Sequence, residues 1–206
     1  MTDNWEIDKK FYFDFGHRVH NQSLNTEFSI DGSCACKHMH GHTGMVHVFL
    51  KSSELTGGFV TDFKHMNWFG KFVDDYLDHK FILDLNDPWF SNIVNAKQNW
   101  IDGNLVSLTS CQPLNTKEGR ELKINPVYVP GTDTLAGYNI CVSDLSGPEQ
   151  EYLESYFLVP FVPTSENFTK WLFDLVDAKM SKIDVQVSKI SWNETPKSRA
   201  VYSRPA

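Results

Sequence analysis

The chain has 206 residues, 41% of them hydrophobic and 22% charged, with a formal net charge of −7. That length suits one domain with a substantial core, or a small domain carrying a large insertion. The acidic balance offers no broad basic field, which argues against a general nucleic-acid or anionic-membrane binder and leaves room only for a local basic pocket. The opening MTDNWEIDKKF has no apolar leader region, and no stretch approaches the ~18 apolar residues of a membrane span. Four cysteines (Cys34, Cys36, Cys111, Cys141) are too few and too scattered for a disulfide scaffold, so free thiols and a cytoplasmic location are expected.

In chain order, Phe11, Phe13 and Phe15 alternate with polar residues and lead to His17, the period-two signature of a strand. Residues 20–35 are polar and read as a loop, and residues 42–51 (HTGMVHVFLK) as a second strand. After the Gly57-Gly58 turn the period changes. Phe63, Met66, Phe69 or Gly70, Val73 and Leu77 form one stripe of a helix from Asp62, its cap, to Asp78. A second amphipathic helix is expected over 165–181, capped by Thr164 or Ser165, with Phe168, Leu172, Leu175 and Val176 inward. Residues 183–192 alternate again, with a phase slip between Val187 and Ile190 that predicts a bulge. A short strand over Arg199–Ser203 closes the chain.

Residues 86–162 interrupt this β-β-α-α-β-β order. They suggest helices at Pro88–Asn99 and Pro148–Phe157 and strands near Leu105–Thr109, Lys123–Val129 and Tyr138–Val142. Their Trp, Tyr and Ile content reads as a structured insertion, not a linker. The expectation is a single α+β domain over 1–206, with 86–162 inserted between the two main helices.

All eight histidines fall at or before His79. His40-Gly41-His42 is the sharpest feature: in an extended segment residues i and i+2 share a face, so both imidazoles can reach one metal ion. His17, at the end of the strand expected to pair with the one after His42, is a candidate third ligand. Three histidines with an open fourth position is a catalytic-zinc arrangement. An H-x-H alone is a weak motif, and a structural zinc on Cys34, Cys36, His40 and His42 is the competing reading, although its spacings are tighter than usual. His20, His38, His47 and His65 read as surface or packing residues.

Cys36, four residues before His40, would have a lowered pKa beside a cation and could act as a base. Asp78-His79 could tune such a thiol, or could simply suit the C-terminal end of a helix. Glu166 at a helix start has a sufficient structural explanation, and Glu194 could grip a guanidine-like edge by paired hydrogen bonds.

Taken together and in order, these segments resemble the 6-carboxytetrahydropterin / 6-pyruvoyltetrahydropterin synthase family. Cys36-Lys37-His38-Met39-His40-Gly41-His42 is similar to its C-x-x-x-H-G-H, and Phe15-Gly16-His17-Arg18 to its F-x-A-A-H-R/K. Gly58-Phe59-Val60-Thr61-Asp62-Phe63 resembles G-M-V-x-D-F, and Leu77-Asp78-His79 with Leu85-Asn86 resembles L-D-H-x-x-L-N. Pro163-Thr164-Ser165-Glu166-Asn167 resembles P-T-S/T-E-N, and Asn193-Glu194-Thr195 resembles K-E-T. Gly16, Thr43-Gly44, Asn193 and the long insertion depart from the pattern.

The resemblance implies a T-fold, a four-stranded antiparallel sheet with two helices on one face, here with a large mixed insertion. It implies a homo-oligomer with interfacial active sites. It implies Zn2+ on His17, His40 and His42, Cys36 as base assisted by Asp78 and His79, and pterin binding by Glu194 with Thr164, Ser165 or Glu166. The implied substrate is 7,8-dihydroneopterin triphosphate, and the implied products include 6-carboxytetrahydropterin. Cys34 stands at the spacing of the 6-pyruvoyl branch, so that reaction is the enzymatic alternative. A zinc-stabilised pterin-binding or scaffold protein is the non-enzymatic one.

Overall fold

The structure, a computed structural model, describes residues 5–111 and 119–204. Its first strand, β1 (Trp5–His17), alternates inward Phe11, Phe13, Phe15 and His17 with outward polar residues. It pairs antiparallel along its whole length with β2 (His40–Ser52), in a register that sets His17 opposite His40 and Phe15 opposite His42. Cross-strand partners share a face, so this register alone gathers three imidazoles on one side of the sheet.

Asp62 caps a tight 3-10 turn over Phe63–Met66 by accepting the Lys64 amide, and α1 runs only from Asn67 to Tyr76. The helix expected from Asp62 to Asp78 is therefore shorter at both ends. His79 adopts a left-handed φ of 57°, which turns the chain directly into β3 (Lys80–Asp84).

Residues between β3 and the second long helix build α2 (Phe90–Ile93), β4 (Ala96–Ile101), β5 (Asn104–Ser110), β6 (Glu121–Tyr128), β7 (Leu135–Ile140), α3 (Pro148–Glu154) and β8 (Tyr156–Val159). The helix expected over Pro88–Asn99 is mostly strand: Asn95, at φ 54°, ends the short α2 and Ala96 begins β4. The helix expected over Pro148–Phe157 stops at Glu154, and Tyr156 opens β8. The chain ends with α4 (Ser165–Met180), β9 (Gln186–Thr195) and β10 (Ser198–Ser203). The anticipated bulge is present. Phe49 pairs Lys189 while Leu50 pairs Val187, leaving Ser188 as the extra residue.

The sheet corrects the four-stranded expectation. Among the described residues it has ten strands in the order β10-β9-β2-β1-β3-β8-β7-β6-β5-β4. Strands β10, β9, β2 and β1 form an antiparallel half, and β3 joins β1 in parallel through Phe15–His17 only. Helices α1 and α4 share one core with β1, β2 and β9, while α2 and α3 belong to a second core over the other half. Strands β3 and β8 are the wall between them. Ile82, Phe157 and Val159 face the first core, and Leu83, Tyr156 and Leu158 the second. Side chains this size each gain roughly 1.5–3 kcal/mol from full burial, so the two halves are fastened along these two short strands.

Two departures from the family pattern have packing reasons. A Cβ on Gly16 would sit 2.6 Å from the Phe81 ring on β3, and one on Gly44 would sit 2.0 Å from the Trp192 ring. Each glycine makes room for an aromatic ring.

Candidate metal centre and active site

His17 is 2% exposed at the end of β1. Its Nδ1 donates to the carbonyl oxygen of Pro163 at 2.8 Å, and the His40 Nδ1 donates to the His38 carbonyl at 2.8 Å. A carbonyl can only accept, so both rings carry their proton on Nδ1 and leave Nε2 as a bare lone pair. The Nε2 atoms of His17, His40 and His42 are all buried with no hydrogen-bond partner.

The ligand atoms of these three residues lie within 4.8 Å of one another. Their ring centroids are 4.5 Å (His17–His40), 5.3 Å (His17–His42) and 4.9 Å (His40–His42) apart. Burial, the dominant cause, and the neighbouring imidazoles lower the pKa of His17 to about 4 against the opposing bond to Pro163. His42 is lowered as well, chiefly by burial. Neutral imidazole is the ligating form. Three orphaned, converging nitrogens fit a metal ion, and N-donor sets of this kind suit zinc.

Glu194, near the end of β9, places Oε1 3.5 Å from the His17 Nε2. The carboxylate thus adjoins the three imidazoles. Below them Phe15 stacks on Phe168 with centroids 5.8 Å apart, and Trp192 lies 5.3 Å from Phe15. Phe15 in turn lies 5.1 Å from the His17 ring and 5.8 Å from the His42 ring, so this aromatic floor packs against two of the three imidazoles.

Cys36 sits on the 3-10 turn Ala35–Lys37, and its carbonyl accepts the Val19 amide at 2.8 Å. Burial first, then the hydrogen bond and charge of Cys34 and the charge of Glu194, push its thiol up to about 11. The protein groups alone therefore act opposite to the lowering expected beside a cation, and a cation's field would have to offset them. Cys34 and Cys36 are free thiols.

Asp78 and His79 meet as the sequence suggests: the Asp78 Oδ2 and the His79 Nδ1 are 2.8 Å apart. The Asp78 Oδ1 accepts the Asp14 amide at 2.9 Å, and the His79 amide donates to the Asp14 carbonyl at 2.6 Å. Burial alone would raise the Asp78 carboxyl, but these hydrogen bonds outweigh it and hold it below its ordinary value. The His79 side chain is 78% exposed. It lines an open groove of ≈ 710 Å³ together with Asp14, Thr43 and the candidate ligands His40 and His42. Among the described residues no hydrogen bond joins this pair to Cys36.

Thr164 caps α4 by accepting the Asn167 amide, and the adjacent Pro163 carbonyl is the one that orients His17. Ser165 and Glu166 instead line a separate cleft of ≈ 320 Å³ against β10, beside Arg199 and Tyr202. Of the residues read as surface or packing, His20 pairs with Asp84 and His47 with Asp8. Arg18, Asp84 and Asp87 are three buried charged residues next to the site. Sequence reasoning placed Arg18 only within the F-x-A-A-H-R/K resemblance, with no role of its own, and missed Asp84 and Asp87, which no spacing motif marks.

No helix is long and apolar enough to cross a membrane among the described residues. A family model described as 6-pyruvoyl tetrahydropterin synthase matches residues 6–205. The chain is 32% identical over 102 residues to a curated protein of Aquifex aeolicus named 6-carboxy-5,6,7,8-tetrahydropterin synthase, covering 47% of this chain and 63% of that one. The crystal structure of an uncharacterized protein from Wolinella succinogenes is 34% identical, with a TM-score of 0.76, covering 98% of this chain and 99% of that one. The 6-pyruvoyl tetrahydropterin synthase of Plasmodium vivax, at 14% identity and a TM-score of 0.52, shares the fold over 99% of both chains.

Proposed function

The chain belongs to the 6-pyruvoyl tetrahydropterin synthase family, and on that premise we propose that it is a zinc-dependent pterin lyase. The reaction is conversion of 7,8-dihydroneopterin triphosphate and water to 6-carboxy-5,6,7,8-tetrahydropterin, acetaldehyde and triphosphate, a step towards 7-deazaguanines such as queuosine. One observation carries this reading: three buried Nε2 atoms, none with a hydrogen-bond partner among the described residues, lie together beside the Glu194 carboxylate. The C-x-x-x-H spacing of Cys36 and the name of the Aquifex relative favour the carboxy product.

His17, His40 and His42 would hold the zinc ion, which would supply Lewis-acid activation of the substrate's side chain. Glu194 accepts paired hydrogen bonds from the guanidine-like edge of the pterin and fixes the ring. Cys36 removes a proton from the side chain. His79, oriented by Asp78, carries protons. Thr164 contributes through the helix start that presents the Pro163 carbonyl to His17, and the reading gives Ser165 and Glu166 no direct part within one chain.

His79 is exposed and not bonded to Cys36, so the site is completed between copies in a homo-oligomer. Unpaired strand edges support this: among the described residues β10 pairs only with β9, and residues Trp5–Phe13 of β1 pair only with β2. Open edges of this length invite pairing. The domain is taken as one unit over 1–206 with 86–162 inserted, acting in the cytoplasm.

The 6-pyruvoyl reaction is the second reading, favoured by the Cys34 thiol lying close enough to Cys36 to help raise its pKa, which puts both candidate bases at one place. A non-catalytic zinc scaffold predicts metal without turnover. Chelation followed by zinc readdition tests the proposal. Turnover that disappears and returns with the metal supports it, and turnover untouched by chelation rejects it.

A further inference from the structure

The three residues after ligand His17 are each tied down. Arg18 is 5% exposed, and its Nε lies 2.8 Å from the Asp87 Oδ2, whose side chain is fully buried. The indole of Trp89 covers the guanidinium at 4.2 Å. The Val19 amide donates to the Cys36 carbonyl at 2.8 Å. The His20 Nε2 lies 2.9 Å from the Asp84 Oδ2. Asp84 and Asp87 are themselves joined, since the Asp87 amide donates to the Asp84 carbonyl at 3.0 Å. One turn at the end of β3 therefore grips residues 18 and 20 while residue 19 holds the turn of Cys36.

We propose that Asp87 and Arg18 are positioning residues for the centre: their buried pair fixes the segment joining ligand His17 to Cys36. This deepens the reading of the site as a metal-dependent lyase and rests on it. Desolvating two charges costs about what their attraction returns, so a buried pair is poor support for stability. The Arg18–Asp87 contact is also not aligned as a hydrogen bond, and the Arg18 Nη1 has no partner. A pair of such small net worth, one member of which is the residue next to ligand His17, contributes position. Outer residues that orient ligands commonly change metal affinity or activity 10–100-fold when altered.

The test replaces both charges together, Arg18→Met with Asp87→Leu, which removes the pair without leaving a lone buried charge. Asp87→Asn, close in shape, serves if the double variant does not fold. Three properties are read on the full chain: amide exchange at Val19, the visible spectrum with cobalt(II) in place of zinc, and kcat against KM. Positioning predicts Val19 exchange at least ~10-fold faster, an altered cobalt spectrum and a kcat loss of roughly 10–100-fold with KM little changed, at a near wild-type Tm. Wild-type exchange and spectrum in the double variant overturn it. So does exchange that rises equally over all strands with a fallen Tm, the mark of a structural role. The first two readouts need no turnover, so an inactive wild type would defeat the lyase reading while leaving this inference measurable.

Discussion

His17 and Pro163 lie 146 residues apart, yet the His17 Nδ1 donates to the Pro163 carbonyl at 2.8 Å. That single bond fixes the tautomer of a buried ring and turns its free lone pair towards His40 and His42. It also links the first strand to the start of α4. Removing the ring should cost the metal while the strand persists, because β1 keeps its full ladder with β2. His17→Ala is expected to weaken zinc binding by at least ~10-fold in a chelator competition. Unchanged affinity would show that the ion sits elsewhere.

Cys36 separates a catalytic thiol from a structural ligand. As a base it is dispensable for the metal, so Cys36→Ala should retain stoichiometric zinc, keep its Tm, and lose turnover by ~100-fold or more. Cys34→Ala should stay active. Loss of zinc together with stability in Cys36→Ala would instead favour the Cys/His structural site.

Glu194→Gln keeps the shape of the side chain but removes its charge. A hydrogen bond to a charged group is worth about 1.5–3 kcal/mol, so substrate affinity should weaken by roughly 10–100-fold with zinc retained. Titration of a pterin against the inactive Cys36→Ala protein reads this directly, and equal affinity in the presence and absence of Glu194→Gln counts against the anchor.

Asp78 sets an acid dependence. Its folded carboxyl lies below the ordinary 3.8, so between the two values the unfolded chain binds more protons than the folded one. Its contribution is present at neutral pH and is lost as pH falls below about 4 through the folded value. Denaturation curves from pH 6 to pH 3 should steepen downwards less in Asp78→Asn than in the wild type. Parallel curves would remove this role.

Gly44 lies where the Trp192 ring fills the place of a side chain. Gly44→Ala should therefore overpack the aromatic floor and cost about 1–3 kcal/mol, seen as a fall in Tm. A neutral result would mean that Trp192 has room to move.

The parts of the fold that alternate were legible. Phe11, Phe13, Phe15 and His17 announce β1, His40-Gly41-His42 announces a shared face, and the slip between Val187 and Ile190 announces the bulge at Ser188. The parts buried on both faces were not. Phe81-Ile82-Leu83 and Tyr156-Phe157-Leu158-Val159 are continuous apolar runs, as parallel strands between two cores must be. Runs of that length are indistinguishable from helix ends by pattern, and so β3 was overlooked and β8 was folded into a helix. Missing these strands hid the ten-stranded sheet. Of the site, His40 and His42 were visible through their spacing and His17 through its place at the end of the first strand. The Arg18–Asp87 pair and the His17–Pro163 bond were not, because each joins residues brought together only by the tertiary fold.

The most direct measurement is mass spectrometry of the products formed when the zinc-loaded protein meets 7,8-dihydroneopterin triphosphate. A zinc-dependent pterin lyase of this kind should give 6-carboxy-5,6,7,8-tetrahydropterin, acetaldehyde and triphosphate in equal amounts. Intact substrate after incubation with protein carrying a full complement of zinc would contradict it.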